Sequence, residues 1–294
     1  MLKTKRARAA LALVGALWLT PAALHAQTSE DNTIVVTGRT AEATQRFVDQ
    51  LAAAPSTAEQ LARWDNTICT SVAGLPVRQG QFVADRIAQR AAALGLSPGA
   101  PGCRANISII VTNDGNAAAR NMHQREPNLF SVRYENNIST MGPEAFDDFL
   151  SNDRAVRWWH VAQTMGADGL NLDGDTSIGG LQNAPVSRST GTRLGAATRE
   201  DFSRAIIIID SRRVGDVQLS ALADYVAMVT LAQVNPRADT SSYPTILNLF
   251  EGGGRLTEMT EWDLAFLQSL YESNRSAANV QQQRNEIARR MQNG

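Results

Sequence analysis

The amino-acid sequence predicts an α/β chain of the α+β kind, a mixed sheet packed with several helices. Three observations predict it. The isoleucines at 206–209 form an unbroken apolar run, the pattern of a central strand covered on both faces. A second strand-like run, 106–112, stands between helix-periodic segments at about 79–94 and 116–123. The segment at about 217–233 is apolar nearly all round, so as a helix it must be deeply buried. This alternation of strand and helix excludes an all-β sandwich.

At the N-terminus, Lys3, Lys5, Arg6 and Arg8 precede an apolar run at 9–19 that is too short to cross a bilayer. Pro21 breaks the run, and Leu24-His25-Ala26 offers a cleavage site before Gln27. This is the layout of a secretory signal, so residues 1–26 are expected to be removed near Ala26 and the rest to reach the periplasm or the medium. No cysteine stands at the cleavage point, which argues against a lipoprotein. No later apolar stretch approaches about 18 residues, so no integral membrane segment is expected after signal removal. The leader carries four cations and no acid, from a chain with 28 Lys and Arg against 29 Asp and Glu, so the remainder is mildly acidic. That balance argues against nucleic acid or an anionic membrane as partner. Residues 27–272 can bury one large core and are read as a single α/β globular domain. Residues 273–294, polar and charged, are read as a loosely docked or free helix or tail.

Residues 31–39 read as a strand ended by Gly38. The string Ile34-Val35-Val36-Thr37-Gly38 is similar to the start of the plug of TonB-dependent receptors, but no series of barrel-length strands follows, and it is read as a lone strand. Residues 41–54 are helix-periodic, with Phe47, Val48 and Leu51 on one face, and 57–64 suggest a second short helix. In the helix at 79–94, Phe82, Val83, Ile87, Ala91 and Leu94 share a side; Gly95 and the Pro/Gly run at 98–102 end it. The two cysteines of the secreted part are Cys69 and Cys103. A small even number in an exported protein predicts a disulfide, with two buried free thiols as the other reading. Closing a loop of about 35 residues would stabilise by roughly 3–4 kcal/mol on the chain-entropy argument.

Residues 143–150 suggest a short amphipathic helix with Pro143 in its first turn. Residues 155–162 are aromatic-rich and read as a strand at a sheet edge. Residues 168–200 are rich in Gly, Ser, Thr, Asn and Asp with almost no apolar periodicity, a long irregular loop of the kind that is functional or mobile. Within it Asp168, Asn171, Asp173 and Asp175 are oxygen-rich, but Gly179 stands where a calcium loop needs its glutamate, so solvated turn chemistry is read there.

The last quarter has a definite order. The strand at 204–210 is followed by the helix at about 217–233, then Pro244-Thr245-Ile246-Leu247-Asn248, then Leu256-Thr257-Glu258-Met259-Thr260-Glu261-Trp262-Asp263 and a helix ending near Leu270-Tyr271. That order resembles the zincin metallopeptidases, and more narrowly exported proteobacterial proteins whose C-terminal region is a degenerate zincin-like domain. The resemblance implies a zincin-like arrangement of these elements and no more. A zincin needs His-Glu-x-x-His on its helix, two imidazoles on one face with a carboxylate to activate water. Here the helix carries no His, Glu or Cys, and Asp224 is its only acid. No metal site and no cofactor are therefore expected.

Other catalytic signatures are absent: there is no Gly-x-Ser-x-Gly elbow, phosphate loop or Gly-x-Gly-x-x-Gly. His123 and His160 are the weak catalytic candidates, His123 at a polar helix end and His160 beside Trp158-Trp159. Trp158 and Trp159, with Asp173 and Asp175 of the long loop, are the candidate contact surface, since aromatic anchors beside an irregular loop suit recognition. The expectation is an exported, non-catalytic protein that binds a protein or small-molecule partner or supports the envelope. The alternatives are a periplasmic hydrolase using His160 or His123 with a carboxylate from 168–201, and a purely structural envelope component.

Overall fold

A computed structural model describes residues 38–55, 58–65, 67–130, 142–169, 195–251 and 256–293. The strand expected at 31–39 and the leader lie outside these residues, save Gly38 and Arg39. Four strands form one mixed sheet: β1 (Thr70–Ala73), β2 (Ile107–Thr112), β3 (Val156–Gly166) and β4 (Thr198–Asp210), in the order β1-β2-β4-β3. β1, β2 and β4 run parallel, and β3 lies antiparallel to β4 at the edge. The four isoleucines of β4 sit between β2 and β3 and alternate between two cores. Ile207 and Ile209 enter the larger one; Ile206 and Ile208 enter the smaller. This is why the run is unbroken: both faces of the strand are covered.

Helices cover those faces. The larger core is closed by α1 (Ala41–Leu51), α2 (Val77–Ala93), α5 (Leu219–Leu231), α6 (Glu261–Glu272) and α7 (Val280–Asn293). The smaller is closed by α3 (Gly115–Arg125), α4 (Pro143–Ser151) and Phe130. α5 is buried at every position from Ala221 to Leu231, as its all-round apolar pattern requires. It packs on β3 and β4 and on a 3-10 helix, Ile246–Phe250. Gly74 ends β1 with φ +86, where any Cβ would strike the Val111 carbonyl, so only glycine fits this turn.

The structure departs from the sequence expectations in three places. Residues 58–64 are not helical. Their backbone amides are taken by distant partners: Leu61 donates to Gln283 Oε1 at 2.7 Å, Ala62 to Gln233 Oε1 at 3.0 Å, and Arg63 forms a parallel bridge with Asp201. The irregular loop expected to reach residue 200 gives way to β4 at Thr198, because β3 runs on to Gly166 and pairs with it there. Residues 273–293 are not loosely attached: Gln283, Ile287, Ala288 and Met291 are buried, and α7 packs on α1 and α6.

Candidate functional site

The antiparallel β3–β4 pair sets the start of β3 beside the carboxyl end of β4; Val156 pairs with Ile209, and Asp210 N donates to Ala155 O at 2.9 Å. The chain leaving α5 passes the same corner. It is held there by Asn235 N donating to Leu51 O at 2.8 Å and by the Trp158 indole donating to Val234 O at 3.1 Å. Asn248 ties the next loop: its Nδ2 donates to Thr240 O at 3.0 Å and Tyr243 O at 2.8 Å, and its Oδ1 accepts from the Thr240 hydroxyl at 2.7 Å. This knot aims the 3-10 helix Ile246–Phe250 at the same corner. The three parts enclose a cleft of about 430 Å³.

The cleft floor is aromatic. Tyr225 of α5 meets Phe250 edge-on at 5.0 Å and Trp158 at 6.3 Å, with interplanar angles of 66° and 67°. Trp158 and Tyr225 are 8 % and 6 % exposed, so they offer ring edges to the cleft rather than open faces. The mouth is charged. Arg154 is gripped by Asp148 through contacts of 2.6 and 3.3 Å. Arg213 donates to Asp153 at 2.6 Å and stands 3.6 Å from Asp210. Burial raises the Tyr225 phenol above its ordinary value, while Arg154 pulls it down and Glu251 pushes it up. Asp210 is held below the usual carboxylate range: burial opposes this, but the Gly115 N–H and Arg212 outweigh it.

Comparisons with protein-family models, with curated proteins and with solved structures find no match for this chain. What the cleft does must therefore be argued from its own residues. Cys69 and Cys103 are joined in a disulfide, with a Cα–Cα separation of 6.0 Å. Among the described residues no helix is long and apolar enough to cross a membrane, and no group of three or more His, Cys, Asp or Glu could hold a metal ion.

The sequence-derived candidates fall in different places. Trp158 lines the cleft, whereas Trp159 points to the opposite sheet face, where its indole donates to Phe130 O at 3.0 Å and its ring packs on Phe146 at 4.9 Å. Asp173 and Asp175 lie outside the described residues. His160 is buried and stacks on Phe202 at 4.5 Å; burial lowers its imidazole to about 4, against the opposing pull of the Val229 and Thr230 carbonyls. His123 packs edge-on against Phe130 at 5.5 Å and Phe146 at 4.9 Å in the smaller core. The two histidines thus stand on opposite faces of the sheet. Neither His160 Nε2 nor His123 Nδ1 has a hydrogen-bond partner among the described residues. No nucleophile–base pair including either histidine is assembled there.

Sequence reasoning missed Tyr225, Phe250, Arg154 and Arg213. The available signal was Tyr225, a hydroxyl-bearing ring on a helix buried nearly all round. Nothing local marked the two arginines, because their role depends on which strand ends the topology places together.

Proposed function

We propose that this chain is an exported, non-catalytic binding protein whose ligand occupies the cleft between the start of β3, the end of α5 and the 3-10 helix Ile246–Phe250. One observation carries the reading: three rings in edge-to-face contact floor the cleft, and Asp153, Arg154, Arg213 and Glu251 line it with both signs of charge. Proteins hold small molecules in this way, with an apolar floor and a few convergent polar groups, in clefts of about 300–1,000 Å³. Its position also fits, since ligands of open α/β sheets bind beyond the carboxyl ends of strands. Among the described residues no His, Cys or Ser lines it, and the Thr240 hydroxyl is already committed to Asn248, so binding rather than group transfer suits these residues. The disulfide and the signal-like leader support export. The zincin-like order of β4, α5 and α6 enters this proposal as scaffold alone, with α5 serving as a packing helix.

A thermal-shift screen of polar, aromatic and zwitterionic small molecules tests it, with Ala238→Trp as the cleft-filling control. A true ligand at about 100 times its Kd stabilises by about 2.7 kcal/mol, which for a domain of this size is a Tm rise of roughly 5–10 °C. The rise should vanish in Ala238→Trp. A screen with no shifts, or shifts that survive the substitution, overturns the proposal.

A further inference from the structure

We infer that the cleft selects small zwitterions carrying one carboxylate, one ammonium group and an apolar side chain, that is, free amino acids. This rests on the reading of the cleft as the ligand site and goes on to name the ligand's chemistry.

At the mouth of the cleft both signs of charge stand side by side. Arg213 and Asp153 meet through a single contact, Nη2 to Oδ1 at 2.6 Å. That leaves Arg213 Nη1 and Asp153 Oδ2 without a hydrogen bond to any described residue, so the pair presents one open donor and one open acceptor. Both signs recur in the rest of the lining, where Arg154 and Glu251 stand beside the aromatic floor. A lone anion docking on Arg213 would approach Asp153 and Asp210, and a lone cation docking on Asp153 would approach Arg213; each meets repulsion beside its attraction. A zwitterion laid head-to-tail on the pair meets an opposite charge at both ends. Charge-assisted hydrogen bonds of this kind are the strong ones, and an arginine edge suits a carboxylate in particular.

The floor settles the rest of the molecule. Trp158 and Tyr225 expose little of their rings, so the floor gives an apolar slot and not a flat platform on which a sugar ring could stack. The volume of about 430 Å³ lies near the small end of the range for small-molecule sites, which favours one residue over an extended peptide. Tyr225 and Asn235 supply further polar atoms at the slot wall for a ligand that keeps some hydration.

Calorimetric titration of the full chain with L-phenylalanine, phenethylamine and 3-phenylpropionate separates the two charges on one apolar frame. The expected result is that L-phenylalanine binds at least tenfold more tightly than either single-charge analogue, and that Arg213→Gln, at an exposed side chain whose loss leaves the fold intact by circular dichroism, weakens it tenfold or more. Equal binding of all three, or an unchanged affinity in Arg213→Gln, overturns the zwitterion inference. If none of the three binds while another molecule binds the wild type and not Ala238→Trp, the inference fails and the cleft reading stands. If no molecule meets that criterion, both fail.

Discussion

Glu200 is 4 % exposed; its Oε1 accepts from the Thr164 hydroxyl at 2.8 Å, and its Oε2 has no partner among the described residues. Desolvation raises its carboxyl from 4.5 to about 7, and Asp201 and Glu59 add to the rise. The folded protein therefore holds a proton that the unfolded chain releases between those two values. Stability contributed by this group is complete below the unfolded value of 4.5 and is lost as pH rises through about 7. Glu200→Gln mimics the protonated form. It should stabilise the protein at pH 8 by about 2–3 kcal/mol and leave it unchanged near pH 4.5. Denaturant titrations at the two pH values check this; equal effects at both would show that the gain is not protonic. Asp224 shows the opposite case. Desolvation would raise it, but Arg90 and Arg86 of α2 and the Met259 N–H hold it at about 2. Its stabilisation is present above its ordinary 3.8 and lost as pH falls through about 2. The one acid of α5 is thus a clamp between α2 and α5.

Asp263 joins two elements. Its carboxylate accepts from Thr260 N at 2.8 Å, closing a capping box on α6, and from Ile246 N at 2.8 Å, at the start of the 3-10 helix Ile246–Phe250. The Thr245 hydroxyl bonds it as well. One side chain therefore caps two helix starts and fixes the angle between them, and that angle sets Phe250 in the cleft. Asp263→Ala should cost about 2–4 kcal/mol, two caps plus the buried donors left behind, whereas Thr260→Ala removes one cap and should cost about 1 kcal/mol. Chemical denaturation of both variants checks the ratio; equal costs would mean that Asp263 caps α6 alone. The Thr-Ile-Leu-Asn turn and the Leu-Thr…Trp-Asp segment stood out in the sequence only through their resemblance to the zincin order; that Thr245, Asn248, Thr260 and Asp263 are committed polar partners was not read there. Helices α1, α2 and α5 were legible because each buries one stripe or all of its surface, and periodicity reports burial. The segment 58–64 was not legible: Gln233 and Gln283, far along the chain, take its amides and override its local helical pattern. The start of β4 was hidden because Arg199, Glu200 and Asp201 carry no apolar alternation; only pairing with β3 makes them a strand.

The sheet order β1-β2-β4-β3 separates the molecule's staple from its cleft. The disulfide lies at the β1 edge, where Cys69 precedes β1 and Cys103 lies beyond α2; the cleft lies at the β3 edge, with two strands between. Trp158 was legible as an edge aromatic, but the cleft was not, because it needs β3, α5 and the 246–250 turn brought together across about 90 residues of chain. This separation makes stability and binding independent. Cys69 and Cys103 are 34 residues apart, so on the chain-entropy argument their bond contributes roughly 3–4 kcal/mol, mostly by restricting the unfolded chain. Reduction should lower Tm by roughly 10 °C. It should leave the affinity of any cleft ligand unchanged, because β2 and β4 stand between the two edges. The paired measurement is a melting curve and a ligand titration, each with and without reductant, on the wild type and on Cys69→Ser/Cys103→Ser. A fall in affinity that tracks the fall in Tm would show that the β1 edge and the cleft are coupled through the sheet, and that the two functions of the fold are not separable.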